Sequence, residues 1–125
     1  MQLKSYTDLT QSKELIKFLP IESADMCYEF DFDLAFNTKW KSTPIVIEKS
    51  NHFELYSQDI PCWSLAVMMD ILPVGTETHK QSDGSISYYY VEVYNNKKYF
   101  STKRYDNLVD ACVEMVLKLH ELNLL

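Results

Sequence analysis

The chain of 125 residues has the length of one compact domain, and its hydrophobic content of 46% is sufficient for a core, which excludes a disordered protein. Twelve basic and eighteen acidic side chains give a net charge of -6, which disfavours nucleic acid and anionic membranes as partners. Three widely spaced cysteines form neither a metal motif nor a disulfide scaffold, and the amino terminus has no apolar signal segment, so we expect a soluble cytoplasmic protein with reduced thiols.

The first predicted element is an amphipathic helix over residues 8–19. Its apolar residues recur at helical spacing, and its charged residues lie outside that face. Asp8 with Gln11 three residues later resembles a capping box, and Pro20 marks the end of the helix.

Apolar and acidic residues alternate in CYEFDFDLAF, residues 27–36, which predicts a β-strand. One face of this strand is apolar, and the other carries Glu29, Asp31 and Asp33. We interpret this acidic strand face as a solvated surface or one that meets a partner. Its carboxylates could also hold calcium or magnesium, but no EF-hand spacing is present. The segments PIVIE and FELYS, residues 44–48 and 53–57, predict a hairpin.

The segment IPCWSLAVMMDILP, residues 60–73, predicts a central helix. Its apolar side chains cover almost every direction of a helical wheel, which is typical of a buried helix. Pro61 is acceptable in a first helical turn because its missing amide has no intrahelical acceptor there. Cys62 in that turn would feel the positive end of the helix dipole, which favours a thiolate.

Residues 74–85 contain both glycines of the chain and show no apolar periodicity, which predicts a mobile polar loop. His79 lies in this predicted loop. We interpret its side chain as solvated, with general-base chemistry as the minority alternative.

The clearest predicted hairpin is formed by SISYYYVEVYNNKKYFST, residues 85–102, with Asn95 and Asn96 as its two-residue turn. This turn would place Tyr94 opposite Lys97. In the same register Val91 faces Phe100 on one side of the sheet. The other side then carries Tyr90, Glu92, Tyr94, Lys97, Tyr99 and Ser101.

The last predicted element is an amphipathic helix over residues 106–122 that packs against the sheet. His120 falls within its apolar arc, where a neutral imidazole can pack. Together the elements predict an α+β fold, a single compact domain of residues 1–125. We expect a mostly antiparallel sheet with about three helices, of which the central one is buried.

A cysteine-dependent hydrolase or transferase is the alternative enzyme hypothesis, with Cys62 as nucleophile and His79 or His120 as base. None of these residues stands in a local signature of such enzymes, and cysteine is among the most buried residue types. We therefore favour a structural Cys62 and a protein that is not an enzyme.

The tyrosine-rich side of the second hairpin is the strongest functional signal, because tyrosine is enriched in the centres of protein interfaces. It predicts a module that binds a protein partner or a second copy of itself. A helix of the same chain could instead cover this side. The candidate partner-binding residues are Tyr88, Tyr90, Tyr94 and Tyr99, together with the acidic Glu29, Asp31 and Asp33.

Nucleic-acid binding is the third hypothesis, and it depends on the basic residues that follow the second hairpin turn. The glycine-rich consensus of RNA-binding sheets is absent, and the net charge is unfavourable. Two glycines in one loop form no phosphate-binding fingerprint, so we predict no cofactor. Because the sequence has neither a paired-cysteine motif nor EF-hand spacing, we also predict no metal. The basic residues are Lys97, Lys98, Lys103 and Arg104.

Three segments together carry a resemblance: residues 23–26, residues 61–73 and residues 106–115. They read SADM, PCWSLAVMMDILP and DNLVDACVEM. The chain resembles a group of small uncharacterised proteins of gut Bacteroidetes and their phages or mobile elements, which carry "TADM", "PAWSL" and "DNLVDA..EM" boxes. The resemblance implies an accessory role in a phage or mobile element and no catalytic residue. Cys62 stands where alanine is common in that group.

Overall fold

The computed structural model describes residues 4–31, 40–47 and 58–125. These residues form three α-helices and two three-stranded antiparallel sheets, which confirms the predicted α+β class. The chain divides into two compact units, Asp8–Ser64 and Met1–Thr7 with Leu65–Leu125. The expectation of one domain over residues 1–125 stays a prediction. No helix in the described ranges has the length and apolar character needed to span a membrane.

The first helix, α1, spans Leu9–Leu15 and begins with the predicted capping box. The Asp8 carboxylate accepts a hydrogen bond from the Gln11 amide at 2.7 Å, and the Gln11 side chain accepts one from the Asp8 amide at 3.0 Å. The helix is shorter than the predicted range 8–19 because its last turn tightens, and a 3₁₀ turn, Ile21–Ser23, follows Pro20.

The first sheet has the strand order β2-β1-β3, and all of its pairs are antiparallel. Cys27 in β1 lies opposite Ile45 in β2 and Pro61 in β3. The first residues of the predicted strand 27–36 thus lie in a strand, whereas residues 32–36 lie outside the described residues. The FELYS half of the predicted hairpin also lies outside them. The strands are β1 (Met26–Tyr28), β2 (Ile45–Val46) and β3 (Ile60–Cys62).

The prediction of one buried helix over residues 60–73 is wrong. Residues Ile60–Cys62 form β3, and α2 begins only at Leu65 and ends at Ile71. Pro61 is tolerated because β3 is an edge strand of the described sheet, where a missing amide hydrogen breaks no ladder. Met68 is the buried residue of α2, and Met69 is exposed. The apolar run thus divides between a strand and an amphipathic helix, which have different neighbours.

The second sheet has the order β4-β5-β6, and its first strand overturns the prediction of a polar loop over residues 74–85. Strand β4 pairs with β5 along its whole length, from Thr76 opposite Val93 to Asp83 opposite Ile86. Backbone hydrogen bonds hold this edge strand, so it needs no apolar alternation. The strands are β4 (Thr76–Asp83), β5 (Ile86–Asn95) and β6 (Lys98–Ser101).

The turn between β5 and β6 lies one residue later than predicted. Asn96 and Lys97 occupy it, with φ angles of 50° and 65°, as in the type I′ turns that suit a two-residue hairpin. Tyr94 therefore opposes Tyr99 instead of Lys97. Each pairing moves by two residues, so the predicted division of side chains between the two faces is kept. Val91 is likewise not opposite Phe100, whose partner is Val93.

The third helix, α3, spans Leu108–Glu121, close to the predicted range 106–122, and packs against β5. The Asn107 side chain caps it by accepting a hydrogen bond from the Asp110 amide at 2.9 Å. The helix covers the side of β5 that carries the fully buried Val91 and Val93. His120 was expected in the apolar arc, but it is exposed because that arc ends at Leu119.

Candidate functional site

The register of the second sheet gathers aromatic and polar side chains on the side of the sheet opposite to α3. Residues on paired strands share a face when they are directly opposite, and residues two apart on one strand also share it. This surface is called the tyrosine face below. Its members are Glu77, His79 and Gln81 of β4, Tyr88, Tyr90, Glu92 and Tyr94 of β5, and Tyr99 and Ser101 of β6.

Tyr94 and Tyr99 are the most exposed tyrosines of this face. They are directly opposite each other, with 62% and 57% of their surfaces exposed. Tyr88 and Tyr90 are half-buried. Because α3 packs behind β5, on the side of Val91 and Val93, it leaves these exposed rings accessible.

A chain of polar contacts orients the other tyrosines. The Arg104 guanidinium lies over the Tyr88 ring, 4.5 Å from its centre. The Tyr88 hydroxyl donates to the Gln81 side-chain oxygen at 2.7 Å, and the Gln81 amide donates to the Tyr90 hydroxyl at 3.1 Å. His79 stacks on Tyr90 with ring centres 4.6 Å apart and an angle of 13° between the planes. These contacts reduce the rotamer freedom of the rings.

Desolvation, and then the neighbouring carboxylate of Glu92, raise the pKa of the Tyr90 hydroxyl. The phenol therefore stays protonated over a wider pH range than an isolated tyrosine. It remains able to donate a hydrogen bond while it accepts the one from Gln81.

A pocket of about 280 Å³ opens in the tyrosine face beside Tyr90. The chain after β6 forms one of its walls, because Thr102 keeps pairing with β5 through both its side chain and its backbone amide. The Val91 amide donates to Thr102 Oγ1 at 3.0 Å, and the Thr102 amide donates to the Val91 carbonyl at 3.0 Å. The pocket is lined by Gln81, Tyr90, Glu92, Tyr99, Ser101, Thr102 and Arg104.

Three possible metal ligands converge at one end of the tyrosine face. His79 Nε2 lies 3.3 Å from Glu92 Oε1 and 3.6 Å from Glu77 Oε2, and the three ligand atoms lie within 4.8 Å of one another. The Nε2 atom is buried and makes no hydrogen bond. The sequence interpretation missed this cluster because it placed His79 in a loop. Glu77 and His79, two residues apart before the Gly84 turn, were the available signal.

The thiols lie in buried positions. Cys62 was expected in a first helical turn but lies in β3, and it is fully buried, like Cys27 and Cys112. Burial, and then nearby carboxylates, raise the pKa of Cys27 to about 11, and burial raises that of Cys112 to about 12. The proposed bases, His79 and His120, belong to the other compact unit. Because Cys62 lies in a strand, the thiolate-favouring position in a first helical turn, on which the enzyme hypothesis depended, is not realised.

The acidic strand face is described only in part. Glu29 and Asp31 are half-buried, and Asp33 lies outside the described residues. Glu29 Oε1 lies 3.6 Å from the Lys41 ammonium, so one carboxylate of this predicted surface has a cationic neighbour.

The basic residues of the third hypothesis lie at different positions around β6. Lys97 lies in the hairpin turn, Lys98 begins β6 and Lys103 follows the strand, and all three are exposed. The Arg104 guanidinium instead lies over the ring of Tyr88, a member of the tyrosine face.

Comparison of the sequence with models of protein families gives no match. Comparisons with curated proteins and with solved structures give no significant match either. The geometry of the tyrosine face is therefore the basis on which a function can be proposed.

Proposed function

We propose that this protein is a non-enzymatic interaction module that binds a protein partner through the tyrosine face. The observation that carries the proposal is the pair Tyr94 and Tyr99. They lie opposite each other on neighbouring strands with more than half of their surfaces exposed, on the side of the sheet away from α3. Exposed aromatic rings that are adjacent on a rigid sheet are typical of interface centres.

Preorganisation of the neighbouring side chains supports this proposal. A tyrosine contributes a large contact area with few rotatable bonds, so it loses little entropy when it is bound. Tyr88 and Tyr90 lose still less, because Gln81 bridges their hydroxyls and Arg104 packs on Tyr88. The free energy gained from contact with a partner is then opposed by a smaller ordering cost.

The pocket gives the face a place for a polar side chain of the partner. Glu92 and Arg104 place a carboxylate and a guanidinium on its walls, and Tyr90 supplies a hydroxyl. Such mixed charges favour one orientation of a bound partner over others, because like charges brought together at an interface are costly.

Capture from a lysate of the native host tests the proposal. The tagged protein is compared with the double variant Tyr94→Ser and Tyr99→Ser, and bound proteins are identified by mass spectrometry. The control is Val74→Ser, which removes an apolar side chain that is 97% exposed in the same unit. We expect a stoichiometric partner with the wild type and the control, and its loss with the double variant.

Light scattering on the purified protein distinguishes a second copy from a different partner. A dimer that dissociates only in the double variant would make the protein its own partner. A partner that binds the double variant as well as the wild type contradicts the proposed surface, and a monomer that captures no protein contradicts the proposed function.

The resemblance to proteins of gut Bacteroidetes and their phages supports a setting for this module. We propose an accessory protein of a phage or mobile element that acts in the cytoplasm on a host or phage protein. The test on a native lysate is chosen for this reason, since such a partner is present only in that setting.

A further inference from the structure

The geometry points to a binding site for a divalent transition-metal ion, with Zn²⁺ as the best fit, formed by Glu77, His79 and Glu92. The site shares Glu92 with the pocket of the tyrosine face, but it requires neither Tyr94 nor Tyr99, so metal binding and partner binding can be tested separately. Strand pairing brings the three ligands together: Glu77 lies opposite Glu92, and His79 lies two residues further along β4 on the same face.

The distances match the edges of a tetrahedral zinc site. Zinc bonds to nitrogen and oxygen of about 2.0–2.2 Å require ligand atoms about 3.3–3.6 Å apart. His79 Nε2 lies 3.3 Å from Glu92 Oε1 and 3.6 Å from Glu77 Oε2. The two carboxylates lie within 4.8 Å of each other. The Glu77 side chain is 74% exposed, so a small rotation can shorten that last distance.

The imidazole is held in an orientation suited to a ligand. Its ring stacks on Tyr90, and its Nε2 atom is buried without a hydrogen-bond partner. A cation held between this nitrogen and the two carboxylates would give the buried atom a partner. The alternative account of the cluster is an ion pair between the imidazole and the two carboxylates without a metal ion.

The donor set selects the class of ion. One imidazole with two carboxylates suits zinc and its neighbours in the first transition row, whereas calcium and magnesium prefer oxygen ligands alone. Three protein ligands leave at least one coordination position open. A group from outside the chain can occupy that position, which lies on the same face as the tyrosines.

Calorimetric titration of the full chain, first stripped with a chelator, tests the site with Zn²⁺ as the probe and Ca²⁺ as the comparison. We expect one Zn²⁺ per chain with micromolar affinity and much weaker binding of Ca²⁺. The variants His79→Gln and Glu92→Gln should each weaken Zn²⁺ binding by at least about tenfold. The matched control is His120→Gln, an exposed histidine on α3, which should leave the affinity unchanged.

Circular dichroism checks that each variant is folded. Glu77→Gln changes the most exposed of the three ligands, so it provides a second measurement if His79→Gln disturbs the sheet. Absence of Zn²⁺ binding to the wild type overturns the inference and leaves the ion pair as the account of the cluster. Binding that is unchanged in His79→Gln or Glu77→Gln also overturns it, because the ion is then held elsewhere.

Discussion

Replacing Thr102 with valine removes the hydroxyl that joins β5 to the chain after β6, while the shape of the side chain is nearly kept. Thr102 Oγ1 accepts from the Val91 amide at 3.0 Å and donates to the Lys103 carbonyl at 2.9 Å. Val91 is fully buried, so its amide loses an acceptor that water cannot replace. A buried donor left without a partner costs about 1–3 kcal/mol. Lys103 is exposed, so water can replace the second bond.

We therefore expect Thr102→Val to lower the free energy of unfolding by about 2 kcal/mol, measured by urea denaturation with an unchanged m-value. Thr102→Ser is the matched control. It keeps the hydroxyl and loses one methyl group, which should cost about 1 kcal/mol. If the valine variant is as stable as the serine variant or more so, the hydroxyl does not fix the end of β6, and our account of this wall of the pocket is wrong.

Three further predictions concern the backbone, the phenol of Tyr105 and the thiols. A Cβ at Gly75, where φ is 95°, would collide with the Tyr94 carbonyl. A Cβ at Gly84 meets no neighbouring atom, so Gly84→Ala costs only the penalty of a positive φ, about 1–2 kcal/mol. Gly75→Ala should therefore destabilise the protein more than Gly84→Ala, as measured by thermal unfolding. Burial and then the hydrogen bond to a glutamate raise the pKa of Tyr105 from 10.0 to about 12. The folded state thus holds the phenol proton of Tyr105 more tightly than the unfolded state does. The stabilisation from this proton is complete below pH 10 and is lost as the pH rises to about 12. The free energy of unfolding should therefore fall less over that pH range in Tyr105→Phe than in the wild type. All three thiols are buried, so a disulfide reagent at neutral pH should react with Cys27, Cys62 and Cys112 only after unfolding. Rapid reaction of one thiol in the folded protein would support the cysteine-enzyme hypothesis instead.

Helices with caps and clear periodicity were predictable from the sequence. The capping box at Asp8 and the amphipathic pattern of α3 both indicate local structure that the chain adopts. The faces of β5 and β6 were also predictable, although the turn was placed one residue early. An error of one residue in a two-residue turn moves each pairing by two residues, and side chains that are two apart share a face.

Elements that depend on distant neighbours were not predictable. Strand β4 has polar side chains on both faces, so its strand character comes from pairing with β5 and not from its own pattern. Gly84 and Ser85 between the two strands were the local signal of this hairpin. The prediction of a single helix over the segment from Ile60 to Ile71 was wrong for a related reason. An apolar run does not indicate where a strand ends and a helix begins.

Stability and binding are separable in the second sheet because they depend on opposite faces. The side towards α3 carries Val91 and Val93, which are both fully buried. Seven residues of α3 are buried as well. Burial of apolar surface is the dominant favourable term in folding, so this side of the sheet contributes to stability. Substitution of Tyr94 or Tyr99 removes little buried area, so these two variants should remain folded. Loss of a partner in them can then be assigned to the surface itself.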